Sequence, residues 1–176
     1  KNRKLRWYII YSSSMGIATL SIAWFVQPFL IEIDTPIIYY GIIWAFLNFT
    51  AGITSYYSYL FNNHNLLIYI SLIMIISLVL LGFNISYFGL IFIILIYLLR
   101  GIITPKLRNL ININSTSERR ATVLSLRSFV IRISFAVIAP VLGYVSDSSD
   151  LSLVFYVLAF IVGFSSLLAA FKLKNN

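Results

Sequence analysis

The chain has 176 residues, 60% of them hydrophobic and only 10% charged, with a formal net charge of +8 and a mean hydropathy of +0.94. A soluble domain carries about 25% charged residues, so this much apolar surface exceeds what one core of this size can hide, and lipid must be part of its solvent. The excess of basic residues lies between long apolar runs, which points to basic loops on one side of a membrane and away from nucleic acid. With no cysteine in the sequence, disulfides, thiolate metal sites and cysteine nucleophiles are excluded.

A membrane-spanning helix needs about 20 mostly apolar residues, and six segments qualify: residues 7–31, 37–61, 66–83, 87–104, 121–145 and 151–171. They predict an all-α integral membrane bundle of six transmembrane helices. The first follows Lys1, Arg3 and Lys4, and its apolar run is too long for a signal peptide. The missing initiator methionine suggests a piece of a longer chain, or a processed one. This span carries Ser12, Ser13, Ser14, Thr19, Ser21, Trp24 and Gln27. The second has Gly41, Asn48, Gly52 and Ser55 roughly aligned at helical spacing. The third and sixth are apolar on all faces, which predicts lipid-facing, peripheral helices. The first, second and fifth are expected to be central, and the fourth, with Tyr97 and Arg100-Gly101, partly so.

Breakers separate the spans, among them a polar stretch at residues 105–120. Within it Ser115-Thr116-Ser117-Glu118 has the form of a capping box, which predicts the start of the fifth helix. Asn84-Ile85-Ser86 has the spacing of a glycosylation sequon, but in so short a turn chance explains it. His64 is the single histidine, in a turn without acids, so neither a metal site nor a general base is expected. No serine nucleophile relay and no glycine-rich phosphate loop can be drawn, and the chain is not expected to be an enzyme or to need a cofactor.

The charges divide strictly. With the N-terminus in the cytoplasm, Lys1, Arg3, Lys4, Arg6, Arg100, Lys106, Arg108, Arg119, Arg120, Lys172 and Lys174 all fall on that side, while Glu32, Asp34, Asp147 and Asp150 fall on the other. Lys and Arg set orientation in this way, so both termini are expected to be cytoplasmic in a multi-pass protein of the plasma membrane. Arg127 and Arg132 alone remain inside a span. Arg132 lies about 20 Å along the helix from Arg119 and about 22 Å from Asp147, near mid-membrane. Arg127 is closer to the cytoplasm and is expected to snorkel toward it. An arginine at the bilayer centre costs about 2.5–3.5 kcal/mol on insertion scales and normally faces protein or water.

Taken in order, Trp24, Gln27-Pro28, Gly41, Trp44, Asn48, Arg100-Gly101, Pro105, Ser117–Thr122 (SERRAT), Arg132, Pro140, Gly143 and Asp147 resemble the C-terminal six-helix half of a major facilitator superfamily transporter. The resemblance covers nearly the whole chain. It implies two three-helix repeats of inverted topology, a missing N-terminal half, and a small-molecule substrate held near the midplane and moved by alternating access. Two features depart from the family: the segment 55–65 lacks the glycine- and arginine-rich loop pattern, and no acid lies inside a span for proton coupling. On this reading Trp24, Gln27, Asn48 and Arg132 are the substrate-facing candidates. Trp24 offers a stacking face, Gln27 and Asn48 hydrogen bonds or simple helix bridges, and Arg132 a charge for an anionic substrate or for an acid of the other half. The alternative is a self-contained six-helix anchor or sensor module. A channel is disfavoured because no filter or re-entrant segment is visible.

Overall fold

The structure, a computed structural model, describes residues 3–63 and 65–175. Lys1 and His64 therefore lie outside the described residues. Six long helices run through the described chain: α1 (Arg3–Glu32), α2 (Tyr40–Tyr56), α3 (Leu66–Phe83), α4 (Gly89–Ile113), α5 (Arg120–Ser148) and α6 (Leu151–Lys174). Short 3-10 turns extend α2 at both ends, Ile37–Tyr39 and Tyr57–Leu60, and a third, Ser117–Arg119, precedes α5. Each of the six is long and apolar enough to cross a membrane, the proportions of a multi-pass membrane protein. A helix satisfies all its own backbone groups, which is the condition hydrocarbon imposes on any lipid-exposed crossing.

Two expectations at the polar stretch need correction. α4 does not stop near Thr104 but runs through Pro105 to Ile113, because one missing N–H does not end a helix whose other groups stay paired. The capping box does not form, since no side chain caps the turn that starts at Thr116. Ser115 instead donates its hydroxyl back to the Ile111 carbonyl at 2.6 Å and so closes the end of the lengthened α4.

At its other end α1 is closed by backbone alone. The Thr35 N–H reaches the Leu30 carbonyl and the Asp34 N–H the Ile31 carbonyl, each at 3.0 Å. Asp34 takes the left-handed conformation with φ 52°, and Pro36 follows. This is a Schellman stop, in which a short polar side chain accepts the left-handed position that β-branched residues avoid.

The buried centre is built on α1, which packs on α4, α5 and α6, while α3 packs on α4 and α6, and α2 on α4. Tyr11 of α1 is wholly buried. It donates its hydroxyl to the Leu67 carbonyl at 2.8 Å and accepts from Ser71 Oγ at 3.1 Å, tying α1 to α3. Glycines set the closest approaches. A Cβ on Gly82 of α3 would lie 2.8 Å from the Tyr156 ring and 3.0 Å from the Ser152 carbonyl oxygen of α6, and one on Gly101 of α4 would collide with the Thr54 hydroxyl and the Ala51 carbonyl of α2. Small residues at such crossings let membrane helices meet backbone to backbone.

The expected division into central and peripheral spans fits α1, whose span is 56% buried, but not α2, α3, α5 and α6. Within α3 and α6, 39% and 50% of the span is buried, against 11% in α2 and 6% in α5. An apolar surface packs against lipid or protein equally well, so the uniform greasiness of α3 and α6 did not tell the two apart. Each has one face in the core and another, such as Phe160 and Phe164 on α6, exposed.

Gly101→Ala is expected to lower stability by about 1–3 kcal/mol through overpacking of the α2–α4 crossing. Gly143→Ala, where a Cβ meets nothing within 4 Å, is expected to be neutral or stabilising by up to about 1 kcal/mol. Thermal unfolding in detergent micelles measures both, and equal losses at the two sites would contradict the assignment of Gly101 to a tight crossing.

Candidate functional site

Three helices present matching polar stripes to one another. On α1 the stripe is Ser12, Met15, Gly16, Thr19 and Leu20; on α4 it is Arg100, Ile103, Thr104 and Leu107; on α5 it is Arg127, Ser128, Ile131, Arg132 and Phe135. Each recurs every three or four residues, the spacing that keeps side chains on one helical face. Together they enclose a cleft of about 550 Å³, within the range of small-molecule sites. Gly16 holds it narrow: a Cβ there would lie 2.6 Å from Ile131 Cγ2, so α1 and α5 touch at this level.

The arginines are the chemistry of this cleft. Arg127 does not simply reach for the helix end; its Nε–H donates to the hydroxyl of Ser12, a buried residue of α1. The guanidinium of Arg100 lies over the ring of Tyr97, 5.4 Å from its centroid, a cation–π contact that fixes it against α4. Arg132, exposed, stands one turn beyond Ser128 on the same wall. No carboxylate lines the cleft, and Arg108 is near enough to Arg127 to add like-charge repulsion.

Most other polar groups of the spans have local partners. Ser13 and Ser14 donate to the carbonyls of Ile9 and Ile10, and Thr19 to that of Gly16. Thr50 and Thr54 likewise bond back along α2. Such hydroxyls are satisfied within their own helices and carry no functional signal.

Of the four residues singled out in the sequence, Arg132 lines the cleft and the other three stand apart from it. Trp24 is 69% exposed, Gln27 is exposed one turn further along α1, and Asn48 is exposed on α2, where its amide donates to the Trp44 carbonyl at 2.9 Å. None of the three is among the residues that line the cleft. Sequence reasoning did not place Arg100, Arg127 or Ser12 at a site. The signal was present in the register of Ser12 with Thr19, Arg100 with Thr104 and Ser128 with Arg132, but which stripe faces which depends on the packing of α1 between α4 and α5.

No protein-family model matches the chain, and no curated protein or solved structure matches it significantly.

Removing either end of the Ser12–Arg127 contact exposes its contribution. In a double-mutant cycle of Ser12→Ala and Arg127→Gln, a coupling energy of about 1 kcal/mol or more is expected from unfolding in detergent. Strict additivity would mean that Arg127 is not held by α1.

Proposed function

We propose that this chain is one six-helix half of a transporter of the major facilitator type, and that it moves a small molecule across the plasma membrane by alternating access. The observation that carries this is the cleft between α1, α4 and α5, where guanidinium groups from two helices meet without a counter-charge. Ionisable groups placed within membrane spans mark substrate paths far more often than they mark packing.

The packing supports the same reading. Exchanging α1 with α4, α2 with α5 and α3 with α6 carries the contact of α1 with α5 onto that of α4 with α2, and that of α1 with α6 onto that of α4 with α3, while α1–α4 and α3–α6 map onto themselves. That is the pattern expected of two inverted three-helix repeats. The smaller contacts of α5 with α6 and with α4 have no counterparts of similar extent between α2 and α3 or between α2 and α1. A second six-helix bundle would cover what this one leaves bare. Along α2, Gly41 and Gly52 have nothing within 4 Å of a Cβ position, and Asn48 between them is exposed. Lipid has no use for glycines and an amide on one face, whereas a facing helix does. Trp24 and Gln27 would then meet the substrate from the exposed face of α1. The charge division puts both ends of the chain on the cytoplasmic side.

Alternating access makes one position reachable from both sides of the membrane in turn. In the complete protein, Thr19→Cys in the cleft is expected to react with a membrane-impermeant maleimide in right-side-out and in inverted vesicles alike. Reaction from one side only is the behaviour of a static anchor or sensor module and would overturn the proposal. Arg132→Ala is expected to cut uptake of the transported solute about tenfold or more while the protein still inserts; unchanged uptake would remove Arg132 from the site.

A further inference from the structure

Charge balance within the cleft specifies what it can hold. Arg100, Arg127 and Arg132 bring three positive charges to one space of about 550 Å³. All five acidic residues of the chain, Glu32, Asp34, Glu118, Asp147 and Asp150, sit at helix ends or turns, and none lines the cleft. Gathering like charges in one cleft with no carboxylate among them is costly unless an anion joins them. We propose that the cleft is an oxyanion site, and that the transported molecule is a small organic anion bearing a carboxylate or phosphate, gripped between Arg127 and Arg132 of α5 and Arg100 of α4. This deepens the transporter reading by naming the substrate class, and it rests on that reading for the word transported.

The geometry of the groups agrees with an oxyanion in particular. Arginine presents a planar fork of N–H donors that matches two oxygens of a carboxylate or phosphate. In Arg127 the Ser12 bond occupies Nε, which fixes the plane and leaves the terminal nitrogens to a ligand. The terminal nitrogens of Arg127 and Arg132 have no hydrogen-bond partner among the described residues. Hydroxyls of Ser128 and Thr104 stand on the same walls as further donors. The remaining surface is apolar, with Met15, Leu20, Ile103 and Phe135, so the anion is one with an apolar body and not a bare inorganic ion.

Binding is read without transport. The complete protein, purified in detergent, is heated with benzoate or phenyl phosphate, with sodium chloride at matched ionic strength, or with short-chain phosphatidylglycerol. A rise in Tm of about 5 °C is expected with one or both of the soluble anions over the chloride control. Arg127→Gln and Arg132→Gln should each abolish that rise, Arg132→Lys should leave part of it, and Arg119→Gln, at the helix end, should leave it whole. The ligand-free Tm of each variant reports whether it has folded, and the lysine variant keeps the test open where the glutamine one does not fold. A shift given by phosphatidylglycerol alone assigns the cleft to a lipid headgroup and overturns the proposal. So does the absence of any arginine-dependent shift, the result expected when carboxylates of a neighbouring bundle hold the guanidiniums. Two-sided labelling of Thr19→Cys without an anion shift would leave alternating access standing and remove only the substrate class. One-sided labelling with an arginine-dependent shift would leave the anion site and remove transport.

Discussion

Hydrocarbon cannot solvate a guanidinium, and that constraint organises this molecule. Arg127 and Arg132 are carried partway along α5, within a helix long and apolar enough to cross a membrane. Once they are there, a neighbouring helix must offer hydroxyls and space. α1 does so with Ser12, and α4 adds Arg100 over Tyr97. The cleft is thus the consequence of placing charge where lipid does not tolerate it, and its walls are the three helices that have polar stripes to contribute.

A bundle that opens a polar cleft must be held together elsewhere, and the holding is done by small residues and greasy ones. Gly82, Gly101 and Gly163 sit at crossings where a Cβ would touch the facing helix. Burial is concentrated in α1, α4, α3 and α6, where Met74, Leu78, Ile93, Phe155 and Leu158 are almost wholly enclosed. α2 and α5 ride on this core with most of their surface bare.

Much of the architecture was legible in the letters. Six spans were readable from apolar run length, and four of their boundaries fell within a few residues of the helices because Pro36, the asparagines near position 63, Asn84 and Ser149 interrupt the pattern where the chain turns. α4 was misread at its end because polar residues after Pro105 look like a loop, whereas a helix that leaves lipid can continue into water with that same composition. The supposed capping box failed for the same reason: Ser115 is still within reach of the Ile111 carbonyl. Arg132 stands out as a charge inside a span. Its companions do not, since Arg100 looks like the border of a span and Arg127 like an interfacial residue, and only the packing of α1 on both α4 and α5 brings them to one cleft. Residue composition also misled about α3 and α6, whose apolar faces meet protein as readily as lipid.

A charged cleft partway through the bundle admits water, and local hydration at two positions tests this. A nitroxide spin label placed at Ser128→Cys, on the cleft, and another at Phe164→Cys, on the exposed apolar face of α6, can each be probed for nearby deuterated water by electron spin echo envelope modulation in lipid bilayers. Strong deuterium modulation is expected at position 128 and weak modulation at position 164. Equal dryness at the two would rule out a hydrated cleft.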